Sequence, residues 1–417
     1  MSISRLLASG AAVKAVQIAL GFAASIVLTR IVSVEDFGIY SRNAALILFL
    51  SLVFHLGIPG LTVARFPRAK GRFAGYLVSQ GVRWGLLGAL GAGSAFALTQ
   101  AVLFPQTAWV VVIWSAAAAF TVLLAVLVSI GKAKGAVLVS NALDMVGRQV
   151  LFLVTFLLLY PFPSEYRTAL SVLISYAVIC ALLFRRFVTP SRSASGPWLS
   201  IAYLRRSWVF VLVSVGWALN QYLDILLIGA LSDATAVANY RLAVLISTAA
   251  AIGISVLDMV LAPRIVSTYA SGNIEAVSLL CQRSTALSTA ATFVGALAFW
   301  VIGKDAIVLV FGLDYASVYL PAAILVAMQL AVAACGPAAL SLMILGSERV
   351  YIVLMFAFSA LNLILNLLLV PRYGAMGAAV ATCTSVTLMN VSACIAAGRL
   401  LHLRTWGWPA SAKKVSL

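Results

Sequence analysis

The stretch LTRIVSVEDFGIY at residues 28–40 comes back, loosened, as LIGALSDATAVANY at residues 227–240. Each closes an apolar run, passes a Ser and an acidic residue, and reaches a Tyr seven or eight positions after the Ser. An arginine follows each Tyr at once or one residue later, Arg42 in the first and Arg241 in the second. A second echo joins LLLYP at 157–161 to LLLVP at 367–371, again half the chain apart. Leu-Pro matches arise cheaply in apolar sequence, so this one alone carries little. Two echoes at one offset read as an internal repeat of half the chain.

The composition says where such a repeat has to live. Of 417 residues, 63% are hydrophobic and 9% charged, and the mean hydropathy is +1.09. A soluble chain is about half apolar and about a quarter charged. This one cannot cover a surface with polar groups, which excludes a soluble enzyme, a disordered chain and a secreted disulfide scaffold. A bilayer accepts the excess. The net charge of +17 would suggest nucleic acid in a soluble protein; in a membrane protein it reads first as asymmetric loops, so no nucleic-acid partner is expected. The five cysteines show no CxxC spacing and read as small buried hydrophobes.

Twelve apolar runs are long enough to cross the hydrocarbon, at about 9–29, 43–62, 82–104, 108–130, 142–163, 167–188, 208–231, 240–262, 284–303, 316–343, 350–370 and 375–398. The tenth is overlong and reads as a tilted span or one with a re-entrant end. No cleavable signal peptide and no domain outside the spans is expected. With the N-terminus in the cytoplasm, alternation leaves six of the 28 basic residues outside: Arg30, Arg42, Arg167, Arg241, Lys304 and Arg372. That asymmetry supports an even number of spans with both termini cytoplasmic. The polar stretch 189–207 reads as a cytoplasmic linker between six-helix lobes at 1–188 and 208–398, with a cytoplasmic tail at 399–417. The expected fold class is all-α: a polytopic membrane protein of twelve transmembrane helices in two lobes related by a pseudo-twofold axis along the membrane normal.

Most catalytic chemistry is missing. GKAKG at 131–135 lacks the earlier Gly and the following Ser or Thr of a Walker loop. His55 and His402 are too few for a metal cluster or a general-base constellation. His55 reads as a packing histidine. Neither a filter repeat nor a ring of charges suggests a channel. The chain is not expected to be an enzyme or to carry a cofactor.

Polar groups inside the spans are the remaining signal, because each is costly there. Asp224 sits in WALNQYLDILLIG, one helical turn beyond Asn220 and Gln221. It reads either as a cation or proton site or as a polar clamp between helices. Asn362 and Asn366 in SALNLILNLLLVP make a second i,i+4 stripe, and Thr382 and Thr384 add hydroxyls on the next span. These suit a monovalent cation or, equally, interhelical hydrogen-bonding glue. Arg30, Arg42 and Arg241 stand at outer span ends, where guanidinium would match a phosphate-bearing substrate or snorkel to headgroups. Lys14 is open to both readings. Arg65, Arg68, Lys70 and Arg72 read as an anionic-lipid anchor.

Several stretches together resemble one family. VLTRIVSVEDFGIYSRNAALI (27–47) is similar to the opening of the polysaccharide flippases of the MATE-like multidrug/oligosaccharidyl-lipid/polysaccharide exporter superfamily. YLDILLIGALSDATAVANYRLAVLI (222–246) looks like the second-half counterpart. APRIVSTYASGN (262–273), FGLDYASVYL (311–320) and LVPRYGAMGAAVATCTS (369–385) resemble further landmarks, in family order. The resemblance implies two six-helix lobes working by alternating access. It implies flipping of undecaprenyl-diphosphate-linked oligosaccharide repeat units, precursors of lipopolysaccharide O-antigen or exopolysaccharide, across the bacterial inner membrane. A polymerase and glycosyltransferases would be pathway partners. Its diphosphate-binding set would be Arg30, Arg42 and Arg241 with Lys14. Its coupling-ion set, for Na+ or H+, would be Asp224, Asn220, Asn362, Asn366 and Thr382. An Asn stands at 366 where the sodium-coupled cousin has an acid, which puts sodium coupling in doubt. A drug/cation antiporter of the same fold is the alternative, and would need acids in the N-terminal lobe.

Overall fold

The computed structural model describes residues 3–66, 69, 72–188 and 198–407, and their side chains except at 3–12, 72, 252, 253, 255, 256 and 258–260. Arg68 and Lys70 of the basic cluster, residues 189–197 of the expected linker, the tail from 408 on and the Asp258 side chain lie outside the described residues. All regular structure among the described residues is helical.

The chain packs as two compact units that divide between Leu226 and Leu227. The first contains α1 (Ile3–Ile31), α2 (Val34–Phe54), α3 (Ile58–Arg65), α4 (Arg72–Leu103), α5 (Ala108–Ala133) and α6 (Val137–Asn141). A π-helical turn (Ala142–Gly147), α7 (Arg148–Leu158), α8 (Ser164–Phe187) and α9 (Ile201–Arg205) follow, and then most of α10 (Trp208–Leu231). The second unit takes the end of α10, then α11 (Ala234–Ala250), α12 (Ile252–Ala270) and α13 (Ile274–Phe311). A 3-10 segment (Leu313–Val318) leads into α14 (Tyr319–Cys335), α15 (Ala338–Ile344) and α16 (Glu348–Leu400). The start of α10 packs in the first unit because the chain turns against it at Gly57: a Cβ there would lie 2.6 Å from the Ser207 carbonyl oxygen and 2.7 Å from the Val211 nitrogen.

Among the described residues, ten helices are long and apolar enough to cross a membrane. The difference from twelve runs has two sources. The eighth run falls across α11 and α12, which break at Ala251 into shorter pieces. The eleventh and twelfth both lie in α16, whose 53 residues are interrupted at Gly374 (φ 51°, ψ −127°). At about 1.5 Å per residue, one such helix would be more than twice as long as the hydrocarbon is thick. The tenth run does stop short: Gly336, at φ 65°, ends α14 and α15 follows as a separate piece. Pro263 does not end a helix: α12 runs through it.

The second span also starts earlier than hydropathy places it. Ser33 caps α2, its hydroxyl accepting from the Asp36 nitrogen at 3.1 Å, and Glu35 and Asp36 fill the first turn. A side-chain cap and acids facing the positive helix end let polar SVEDFG begin a helix that an apolar window starts ten residues on. Asp233 does the same for α11, accepting from the Ala236 nitrogen. Counted from these caps, Tyr40 and Tyr240 both stand seven residues in. The repeat therefore aligns Ser33 with Asp233, not with Ser232. In that register Arg42 is nine residues from its cap and Arg241 eight. At about 100° per residue they face different ways: Arg42 is half-buried and Arg241 exposed.

Large apolar side chains, Leu158, Val301 and Leu309 among them, point outward from the units. In water this would be an aggregation surface; for a chain built of spans it is the lipid-facing side. Inside the first unit Trp114, Phe37, Phe96 and Phe156 fill the core. Residues 198–207 are docked on α4: the Ser200 nitrogen donates to Gln80 Oε1 at 2.8 Å, Arg83 donates to the Trp198 carbonyl at 3.0 Å, and Trp84 Nε1 donates to the Ser200 carbonyl at 3.3 Å. Tyr203 is buried beside Thr62, hydroxyl to hydroxyl at 3.5 Å, and burial raises its pKa above the ordinary phenol value.

Candidate functional site

The cationic candidates occupy quite different settings. Lys14 is exposed on α1 and donates to Gln17 Oε1 at 3.1 Å, one turn along. Arg30 is exposed in the last turn of α1, where a positive charge faces the carbonyl end of the helix. Arg42 lies more than two turns inside α2. Its guanidinium sits 4.0 Å over the Phe104 ring, and its buried Nε has no hydrogen-bond partner. Arg241 is exposed about two turns inside α11 in the second unit. Arg30, Arg42 and Lys14 belong to the first unit and Arg241 to the second.

The coupling candidates divide in the same way. Asn220 and Asp224 are on the part of α10 inside the first unit. Asn220 is exposed and donates to the Gly216 carbonyl at 3.1 Å; Asp224 is half-buried one turn on. In the second unit, Asn362, Asn366 and Thr382 stand along one polar seam. Asn366, fully buried, donates to both the carbonyl and the side-chain oxygen of Asn362, at 2.9 and 3.0 Å. Asn362 donates across the Gly374 break to Ser385 Oγ at 3.2 Å. Thr382, one turn before Ser385, shares a 2.9 Å hydrogen bond with the Tyr240 hydroxyl of α11. The seam ties both arms of α16 to each other and to α11, which is what interhelical polar glue does. Thr384 stands apart, exposed and bonded to the Val380 carbonyl.

Sequence reasoning missed three features. His55 was read correctly as a packing residue: it is buried at the turn into α3, and its Nδ1 accepts from the Gly57 nitrogen at 3.1 Å. Arg167, however, is only 4% exposed although it was read merely as one of the outer basic residues. Its guanidinium lies 4.3 Å from the Phe156 ring and 5.4 Å from Tyr160. Arg148, which the alternation leaves on the cytoplasmic side, forms a 3.5 Å ion pair with Asp144 across the π-helical turn and lies 4.8 Å over the Tyr176 ring.

The third feature is a cavity of about 630 Å3 in the first unit. It opens where α2, α5 and α8 begin and α4 has just ended. Asp36, Tyr40 and Asn43 line it from one face of α2, Gln106 from the α4–α5 turn, Trp114 from α5 and Glu165 from α8. The i, i+4, i+7 spacing on α2 was visible in the sequence; the convergence of the other two junctions was not. The second unit has a hollow at its corresponding junctions, among the α11 cap, the start of α14 and the Gly374 break, with about half the volume, 320 Å3. Asp233 is its sole carboxylate among the described residues, and that group already caps α11.

The fold is that of the transporters of the MOP superfamily. The lipid II flippase MurJ in an inward closed conformation superposes with a TM-score of 0.76 at 11% identity, covering 92% of this chain and 86% of that one. An inward-facing multidrug resistance MATE family transporter of the superfamily gives 0.71 at 12%, covering 92% and 94%. A MOP superfamily transporter from Pyrococcus furiosus gives 0.65 at 13%, covering 96% and 95%. Identities this low carry the fold alone. The chain belongs to the polysaccharide biosynthesis protein family, which matches residues 8–269. No curated protein matches it.

Proposed function

We propose that this protein is a flippase that carries lipid-diphosphate-linked oligosaccharide repeat units across the bacterial inner membrane by alternating access, with both termini in the cytoplasm. The observation that carries the reading is membership of a polysaccharide biosynthesis family by a chain with a transporter fold. The finer assignment is an undecaprenyl-diphosphate carrier and a glycan destined for O-antigen or exopolysaccharide, with a polymerase and glycosyltransferases as partners in the pathway. Arg30, Arg42, Arg241 and Lys14 are the groups proposed to meet the diphosphate; guanidinium pairs with phosphate oxygens two at a time. Arg42 is the strongest of them, because its buried Nε has no hydrogen-bond partner. Asp224 is proposed to couple transport to Na+ or H+, with Asn220 beside it. The seam of Asn362, Asn366 and Thr382 is the second unit's candidate for the same role.

The test is surface glycan in cells whose own copy of the gene is deleted. Arg42→Ala and Arg241→Ala should each insert in the membrane at normal levels, abolish glycan display, and leave lipid-linked repeat units in the inner leaflet. Normal display in both variants would remove the diphosphate role. A drug/cation antiporter is the second reading, and one observation favours it: Asp36 and Glu165 both line the first unit's cavity. Both acids belong to first helical turns and not to mid-span positions, which suits a site for a hydroxylated ligand at the end of the helices.

A further inference from the structure

We propose that the first unit's cavity is a binding subsite for one pyranose ring of a glycan, neutral or amine-bearing, and that it excludes sugars carrying a carboxylate. The volume of about 630 Å3 lies inside the roughly 300–1,000 Å3 range of small-ligand sites, with space for a hexose and its neighbouring linkage.

The chemistry of the walls selects the ligand. Tyr40, half-buried, supplies the aromatic surface and its ring is held in place, while Trp114 backs it from the core. Tyr40 stacks on Phe152 with centroids 5.6 Å apart and lies 6.3 Å from Trp114, which itself stacks on Phe96 at 6.3 Å. The faces of such rings are electron-rich and attract the weakly positive C–H face of a pyranose. Around them stand acceptors for hydroxyl groups. The Asp36 carboxylate is positioned by the Ser164 hydroxyl, which donates to it at 2.9 Å, and Glu165 is exposed at the rim. Asn43 forms the buried end. It donates to Gln106 Oε1 at 3.2 Å and accepts from Gln100 Nε2 at 3.0 Å, so three side-chain amides lock one another in orientation. Carboxylates and amides together read hydroxyls in both directions, since the first accept and the second also donate. Among the described residues, two negative charges and no basic residue line the space. A uronic acid would be repelled, whereas a hydroxyl or ammonium substituent would be held.

The repeat sharpens the assignment. Three cap-related positions differ between the units: Asp36, Ile39 and Asn43 in the first are Ala236, Asn239 and Ala243 in the second. Tyr240, the counterpart of Tyr40, is buried and bonded to Thr382 instead of lining a hollow. Two units built on one plan need not differ here for folding. The first unit has gathered an aromatic ring and acceptors around a space that is half as large in the second.

The proposal rests on the flippase reading only for the source of the sugar, and its test is separate. Saturation-transfer NMR would be run on the purified full chain in detergent with three probes, methyl N-acetylglucosaminide, glucosamine and methyl glucuronide. The first two should receive saturation from the protein and the glucuronide should not. Glu165→Gln changes an exposed residue and Asp36→Asn keeps the shape, so both should fold, and each should weaken binding at least fivefold. Glu165→Lys should admit the glucuronide. No saturation transfer to either of the first two probes, equal transfer to all three, or unchanged binding in both charge variants would overturn the assignment. So would displacement of glucosamine by tetraphenylphosphonium with no binding of the neutral glycoside, which marks an organic-cation site. If the cavity fails this test while Arg42→Ala still abolishes glycan display, the flippase reading stands and only the subsite falls.

Discussion

Gly57 is the position where local conformation and packing conspire most plainly, and Gly57→Ala tests both. The residue sits in the turn between α2 and α3 at φ 67°. A left-handed conformation costs an L-residue roughly 1–2 kcal/mol. Packing adds to this. The new methyl would stand 2.6 Å from the Ser207 carbonyl oxygen, 2.7 Å from the Val211 nitrogen and 2.9 Å from Phe210 Cβ. Two of these atoms are backbone, so no rotamer change relieves them and the start of α10 has to move. Overpacking of this kind costs roughly 1–3 kcal/mol, for a total of roughly 2–5 kcal/mol. Gly135→Ala supplies the control: φ is 85°, but nothing lies within 4 Å of the added carbon, so only the conformational cost remains, roughly 1–2 kcal/mol. Thermal unfolding followed by size-exclusion of detergent-solubilised protein reads the ranking. Gly57→Ala should lower the midpoint about one and a half times as far as Gly135→Ala or further. Equal shifts would show that the turn and α10 are not in contact as described, and would refute the packing half of the argument.

Further tests concern single contacts. Ser33→Ala and Asp233→Ala should each cost about 1 kcal/mol through loss of a helix cap, while Ser232→Ala should cost nothing; a loss at Ser232 equal to that at Asp233 would break the repeat register. The Asp144–Arg148 pair is half-buried, so Asp144→Asn leaves a charge without its partner and should destabilise by roughly 1–3 kcal/mol. Arg148→Met should then be milder in the Asp144→Asn background than alone, and additive losses in that cycle would mean the pair is not coupled. Asn366→Leu removes both donors to Asn362, and at about 1 kcal/mol per hydrogen bond should cost roughly 2 kcal/mol; an unchanged melting midpoint would show that the seam holds nothing together. Transport into vesicles by Asp224→Asn should lose its dependence on the ion gradient, and an unchanged dependence would take Asp224 out of the coupling.

Much of the architecture could be read from residues alone. Apolar runs of span length are a property of local composition, and the hydrocarbon demands that each satisfy its own backbone, so helices follow directly. The repeat was legible for the same reason: a capping side chain, an acidic first turn and a Tyr seven residues on are short-range features. Even so, the Ser232 alignment slipped by one residue, because only the observed hydrogen bond tells which of two adjacent polar side chains caps α11.

What a charged or polar side chain meets across the fold could not be read this way. Arg42, Arg167 and Arg241 look alike as letters near span ends. One lies over Phe104, one is sealed between Phe156 and Tyr160, and one is exposed. The difference is a rotation of about 100° per residue multiplied by the exact start of each helix, which hydropathy windows locate only to within several residues. The cavity depends still more on the packed chain. Asp36, Gln106 and Glu165 come from three junctions far apart in sequence, and no local pattern announces that they share one space. Helices and their membrane follow from the energetics of each segment taken singly; a binding site follows from how segments are brought together, and that is decided by packing between them.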